Sequence, residues 1–365
     1  MRAVVACISL IFSMWGSMLI AGDNTHDLET SRWMPTVVAS QGDVRIRRKS
    51  WGRWAPVRFG TSIYPNDLLK TAANSSVVVI CPDLRREVVH ADTMAGLRCT
   101  GSSELILSGD SVLTPVRNED TDPDPDERLI LLSPRWTGVL DARPTIRWSA
   151  PAGVKQFVVT VRTARGPLWT KYVDSALSLP YPESVPPLQP GTQYSVVITA
   201  GALSSTQAGE AWPMFVVVPS KQGAQATKGL KAIRSFELSP EKTRALEAKL
   251  LATLGLYAAA VDRLEKSPSS EEAATERILG STYRNIGLNR LAIERYRRAL
   301  ARSVAHADSD GEALAASTLG ELCQGFGLCA EGEARQYFKK ALSLYQALGA
   351  EEDVKRLLDQ LAAAD

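Results

Sequence analysis

Chemistry needs side chains that ligate, move protons or attack, and this sequence supplies few. It has three His and five Cys in 365 residues. His26, His90 and His306 are scattered across regions of different character, so each reads as a surface or satisfied residue. There is no G-x-S-x-G elbow, no H-E-x-x-H, no P-loop and no Gly-rich fingerprint between a strand and a helix. Asp120, Asp122, Asp124 and Asp126 alternate as in a calcium loop. Such a loop needs a turn glycine and a closing bidentate Glu, whereas Pro123 and Pro125 here hold the chain extended. These features imply no enzyme, no cofactor and no metal. One basic cluster stands out: Arg45, Arg47, Arg48, Lys49 and Arg53, with Trp51 and Trp54. It could meet an anionic polymer through charge and stacking. The plainer reading is a solvated strand face with Trp54 in the core.

The elements that must position these residues follow from composition. Lys plus Arg number 42 and Asp plus Glu 40, for a net charge of +2. That balance argues against nucleic acid as a partner. The length suits two to four domains, each burying its own core. Residues 1–22 carry one Arg before an apolar run, as in a secretory signal. Ala21 or Gly22 is the expected last residue removed. An uncleaved anchor is the alternative, and membrane contact is expected only in that case. Without Cys7, four Cys remain: Cys81, Cys99, Cys323 and Cys329. An even number in an exported chain suggests disulfides, with three connectivities open. Their positions in two separate regions favour local pairs, Cys81–Cys99 and Cys323–Cys329.

Composition then gives the order β, β, α. Residues 36–115 are rich in Val, Ile and Thr, with turn residues at intervals, as strands require. Residues 118–128 form an acidic, proline-bearing linker. Residues 129–219 return to strands, and 220–238 are small and polar and read as a second linker. From 239 to 365 the periodicity is helical.

The stretches VVASQGDVRI and WGRWAPVRFGTSIYPNDLLKTAANSSVVVI carry Gly42, Val44, Trp54, Gly60, an Asp67-Leu-Leu-Lys-Thr71 strand and the apolar run 77–80. This pattern resembles the FecR periplasmic domain, which implies a bacterial, periplasmic setting. Residues 129–219 resemble a fibronectin type III or immunoglobulin-like sandwich. Trp148 takes the core position in an edge-proline strand, and the segment from Leu188 to Tyr194 (LQPGTQY) matches the tyrosine corner. The resemblance implies that the Tyr194 hydroxyl bonds backbone just upstream.

The helical region resembles tetratricopeptide (TPR) repeats, units of about 34 residues in two helices. The unit from Ala273 carries Leu279, Gly280, Tyr283, Gly287, Ala292, Tyr296 and Ala299 at the diagnostic places. Units from Glu241 and Ala313 follow the pattern, the last with an enlarged turn, and 351–362 read as a capping helix. The resemblance implies a concave groove lined by the first helix of each unit. Its positions here are Lys242, Lys249, Arg277, Arg284, Asn285, Glu321 and Gln324. Two basic pairs, each seven apart, would make a four-cornered positive patch suited to an acidic peptide; a merely solvated helix face is the alternative. The expectation is thus a multidomain β + β + α protein: an exported, non-enzymatic scaffold of the bacterial envelope that binds a partner through its repeats. A FecR-type signalling regulator and a peptidoglycan or envelope-polymer binder are the alternatives.

Overall fold

The computed structural model describes residues 33–97, 99, 128–206, 212–266 and 271–362. His26, residues 1–22 and the alternating Asp residues lie outside them.

The first β unit has two small sheets. One runs β1 (Thr36–Gln41), β5 (Ser76–Ile80) and β6 (Arg86–Val89), with β5 between its neighbours. The other runs in the order β3 (Ala55–Pro56), β2 (Val44–Arg47), β4 (Leu68–Thr71) and β7 (Met94–Gly96). All pairings are antiparallel. Alternation sets the faces: Val44 and Ile46 are buried while Arg45 points to water. A register shift between Val37 and Ala39 in β1 breaks that alternation. Val37 and Val38 are both fully buried, and each enters a different core.

The second unit is a sandwich. One sheet holds β8 (Ile130–Ser133), β10 (Ile146–Ser149) and β13 (Ser178–Leu179), in the order β13-β10-β8. The other runs β12 (Gly166–Asp174), β11 (Gln156–Thr163), β14 (Gln193–Ala200), β16 (Met214–Val217) and β9 (Thr137–Val139), with β15 (Leu203–Ser204) on β14. β9 and β16 are parallel. Trp148 and Phe157 meet edge to face at 5.4 Å in a core confined to this unit. Tyr194 is buried, and its hydroxyl accepts the Gln189 backbone N–H at 2.8 Å.

Eight helices follow among the described residues. The first, α1 (Ser220–Arg234), corrects the reading of 220–238 as a linker. Its composition is small and polar, but Ala, Lys and Gln are strong helix formers. Ala226, Gly229 and Ile233 make a buried stripe three and four apart. A Cβ at Gly229 would come within 2.6 Å of Leu250. The rest pair as hairpins: α2 (Pro240–Thr253) with α3 (Tyr257–Glu265), α4 (Ala273–Asn285) with α5 (Asn289–Ala305), and α6 (Ser309–Phe326) with α7 (Glu333–Leu348). α8 (Glu351–Ala362) closes the stack. Close approach rests on glycine. A Cβ at Gly280 would fall 2.9 Å from Tyr296, and one at Gly320 would fall 2.5 Å from Phe338. Both disulfides are formed, Cys81–Cys99 and Cys323–Cys329, the second closing the enlarged α6–α7 turn.

The first β unit has no core of its own, contrary to the expectation of one per domain. Trp33, Val38, Phe59, Ile80 and Leu84 pack into one cluster with helices α1 to α6. Val37, Val44, Ile46 and Leu69 share another with Phe338, Tyr345 and Leu357.

Candidate interaction face

The inner face of the repeats is built by α2, α4 and α6. Small residues let neighbouring helices approach and leave the longer polar side chains facing inward. The first β unit sits on this face. Lys249, 3% exposed, donates from Nζ to Thr36 Oγ1 at 2.8 Å and Ser62 Oγ at 3.1 Å, below the Trp33 ring. Lys242 pairs with Glu272 at 3.4 Å and lies over the Phe59 ring. Gly60, in the left-handed region at φ +81°, meets Ala274; a Cβ there would fall 2.2 Å from the Ala274 Cβ. Arg58 donates to the His306 carbonyl. At the far end Gly52 N–H and Arg53 N–H donate to the carbonyls of Gly349 and Leu348, both at 3.0 Å.

Arg48 is the centre of this contact. It reaches Asp67 at 3.0 Å and Asp310, and stacks near Trp51 and Tyr64. Burial works against its charge, but Asp310, Tyr64 and Asp67 more than offset it and hold its pKa above the ordinary value. Burial raises the Asp67 carboxyl, against the pull of Arg48 and the N–H groups of Tyr64 and Lys49. Asp308 is likewise raised, first by burial, although Arg277 lies 3.6 Å away. Trp51 is buried in this seam and Trp54 half-buried under Arg47, which corrects the placing of Trp54 in the core. A cleft of about 280 Å³ remains beside the seam, lined by Arg58, Glu271, Glu272, His306 and Asp308 among others.

The sandwich contacts the C-terminal ends of α2 and α4, and α3. Gly138 N–H donates to the Gly255 carbonyl at 2.9 Å, and Arg135 Nε to the Ile286 carbonyl at 2.7 Å. Arg147 pairs with Asp262 and Glu265.

The open four-cornered patch is therefore not what the structure holds. Arg277, 3% exposed, is buried against Asp308. Arg284 pairs with Glu321 at 3.7 Å, and Glu321 with Arg356 of α8. Asn285 is half-buried and Gln324 exposed at the far ends of their helices. Lys242 and Lys249 lie beneath the first β unit, whereas Arg277 is buried beside Asp308 and Gly311. Thr36, Ser62, Arg48, Asp67 and Asp310 complete the face. Sequence reasoning named Arg48 in the basic cluster and Asp67 at a strand start but not their joint role, because pairings 213 and 262 residues apart leave no local signal. His90 is exposed. Cys81, Glu87 and Cys99 lie together at metal-ligand range, but the disulfide removes the thiolates such a site would use.

The chain matches no protein-family profile and no curated protein sequence. Among solved structures it is similar to a MamA crystal structure, at 19% identity over 40% of this chain and 91% of that one, with a TM-score of 0.28. It is also similar to a Podosopora anserina putative kinesin light chain with nearly identical TPR-like repeats, at 17% identity over 40% of this chain and 88% of that one, TM-score 0.28. The TPR-like character of the helical half rests on its own hairpins and glycine contacts.

Proposed function

We propose that the protein is an exported, non-enzymatic adaptor of the bacterial envelope, whose repeats hold two β modules in fixed orientation for partner proteins. The observation that carries this reading is the filled inner face. Lys249 and Arg48 are committed to internal contacts, so partners meet the outward surfaces of the β modules. The first module is read as FecR-like from its sequence pattern. The second is read as a fibronectin type III-like sandwich, which its tyrosine corner and its β13-β10-β8 and β12-β11-β14-β16 sheets support. Export is supported by the apolar segment at 1–22 and by two disulfides. No helix among the described residues is long and apolar enough to cross a membrane.

The test is crosslinking in envelope extract with the mature protein, alongside a cell-wall pelleting assay. One partner protein recovered reproducibly supports an adaptor. Co-sedimentation with cell wall and no crosslinked protein replaces it with a polymer binder. N-terminal sequencing of exported protein should start near Asp23, and an intact Met1 form in the cytoplasm would refute export.

A further inference from the structure

The sheet β3-β2-β4-β7 turns Val44, Ile46, Leu69 and Thr71 inward, so Arg45, Arg47, Leu68 and Lys70 face out. Register places Arg45 directly opposite Lys70, and Lys70 opposite Met94, which is 65% exposed. Like charges directly opposite one another destabilise an antiparallel pair. The fold does little to offset this. Arg45 reaches one exposed carboxylate, Asp43, at 3.0 Å. Among the described residues neither Arg47 nor Lys70 forms an ion pair, and Arg47 lies over the Trp54 ring at 5.2 Å. Arg48, the next residue along, is half-buried and held between two carboxylates. This internal cation sits between carboxylates, whereas these three are held side by side facing outward with one exposed carboxylate, Asp43, beside them.

We propose that this face docks an extended acidic segment of a partner protein, with carboxylates at alternate positions. The proposal rests on the adaptor reading above. Arg45 and Arg47 are two residues apart on a strand, so their side chains repeat about every 7 Å. An extended peptide presents every second side chain at the same interval. Lys70, about 5 Å across the ladder from Arg45, meets the same row from the side. Trp54 and Met94 border the cations with apolar surface. Stacking on Trp54 orients the Arg47 guanidinium before binding, which lowers the entropy lost on docking.

The test is titration of the full mature chain with a labelled peptide of alternating Asp and Thr, read by fluorescence anisotropy at low and moderate salt. Binding should weaken as salt rises. The triple variant R45Q/R47Q/K70Q should weaken it at least about tenfold, as expected for three exposed ion pairs, with a melting temperature no lower than that of the wild type. The matched variant K155Q/K171Q/K221Q, at exposed lysines elsewhere, should bind like the wild type. Unchanged affinity in the first variant overturns the proposal. So does equal binding of a peptide with its Asp residues in one block, or tighter binding of polygalacturonate that the first variant loses. A partner protein crosslinked equally to wild type and R45Q/R47Q/K70Q leaves the adaptor reading standing and removes this face from it. Peptide binding lost in that variant, with no partner crosslinked in extract, does the reverse.

Discussion

Arg47 and Arg48 are adjacent in sequence and opposite in fate, and the difference is what lies within 4 Å. Arg48 is held by Asp67 and Asp310 in the seam. Removing one member of a buried ion cluster strands the others, so Arg48→Met should destabilise the protein by about 3–5 kcal/mol. Denaturant unfolding of the full chain would measure it. Tyr194→Phe keeps the ring and deletes only the acceptor for Gln189 N–H; about 1–3 kcal/mol should be lost, and no shift would sink the tyrosine-corner assignment. Asp67 and Asp308 carry pKa values raised by burial. A raised native pKa means that the native chain binds more protons than the unfolded one. Their contribution to stability is full below the ordinary carboxylate value and is lost as pH rises through the native values. Relative to Asp308→Asn, the wild type should therefore lose stability over that rise. A pH series of unfolding midpoints showing the opposite trend would contradict the burial argument.

Helix hairpins were the most legible elements, because a 3.6-residue period and glycines at close crossings are local signals. Gly280 and Gly320 face Tyr296 and Phe338 at such crossings. Gly320→Ala should overpack that crossing and cost about 1–3 kcal/mol, visible as a lowered melting temperature. α1 was illegible as a helix because its buried stripe is Ala226, Gly229 and Ile233, with almost no bulk to register as apolar. The strands of the sandwich were readable where one face met a single core. Those of the first β unit were harder, since Val37 and Val38 are buried on opposite sides. The inner-face cations were found by position, but not their role. A sequence pattern marks a helix face and is silent on what covers it.

At the scale of the molecule, the sandwich has a private core and the first β unit does not. A fragment of residues 128–219 should melt cooperatively on its own. A fragment of residues 23–128 should lack a cooperative transition and bind a hydrophobic dye, because Val38, Ile80 and Ile46 lose the helices that cover them. Circular dichroism melts of the two fragments decide this, and a sharp transition in the second would show that its sheets suffice alone.

The shared cores also set a timetable for biosynthesis. The first β unit leaves the ribosome well before Phe338, Tyr345 and Leu357, which close that unit's core, are made. Contacts spanning 213 and 262 residues form only after most of the chain exists. Long-range closure of this kind slows folding and leaves apolar strands uncovered in the interim. Nonsense mutations in the last helices should therefore damage the opposite terminus first, turning a small C-terminal loss into aggregation that begins at the N-terminal sheets.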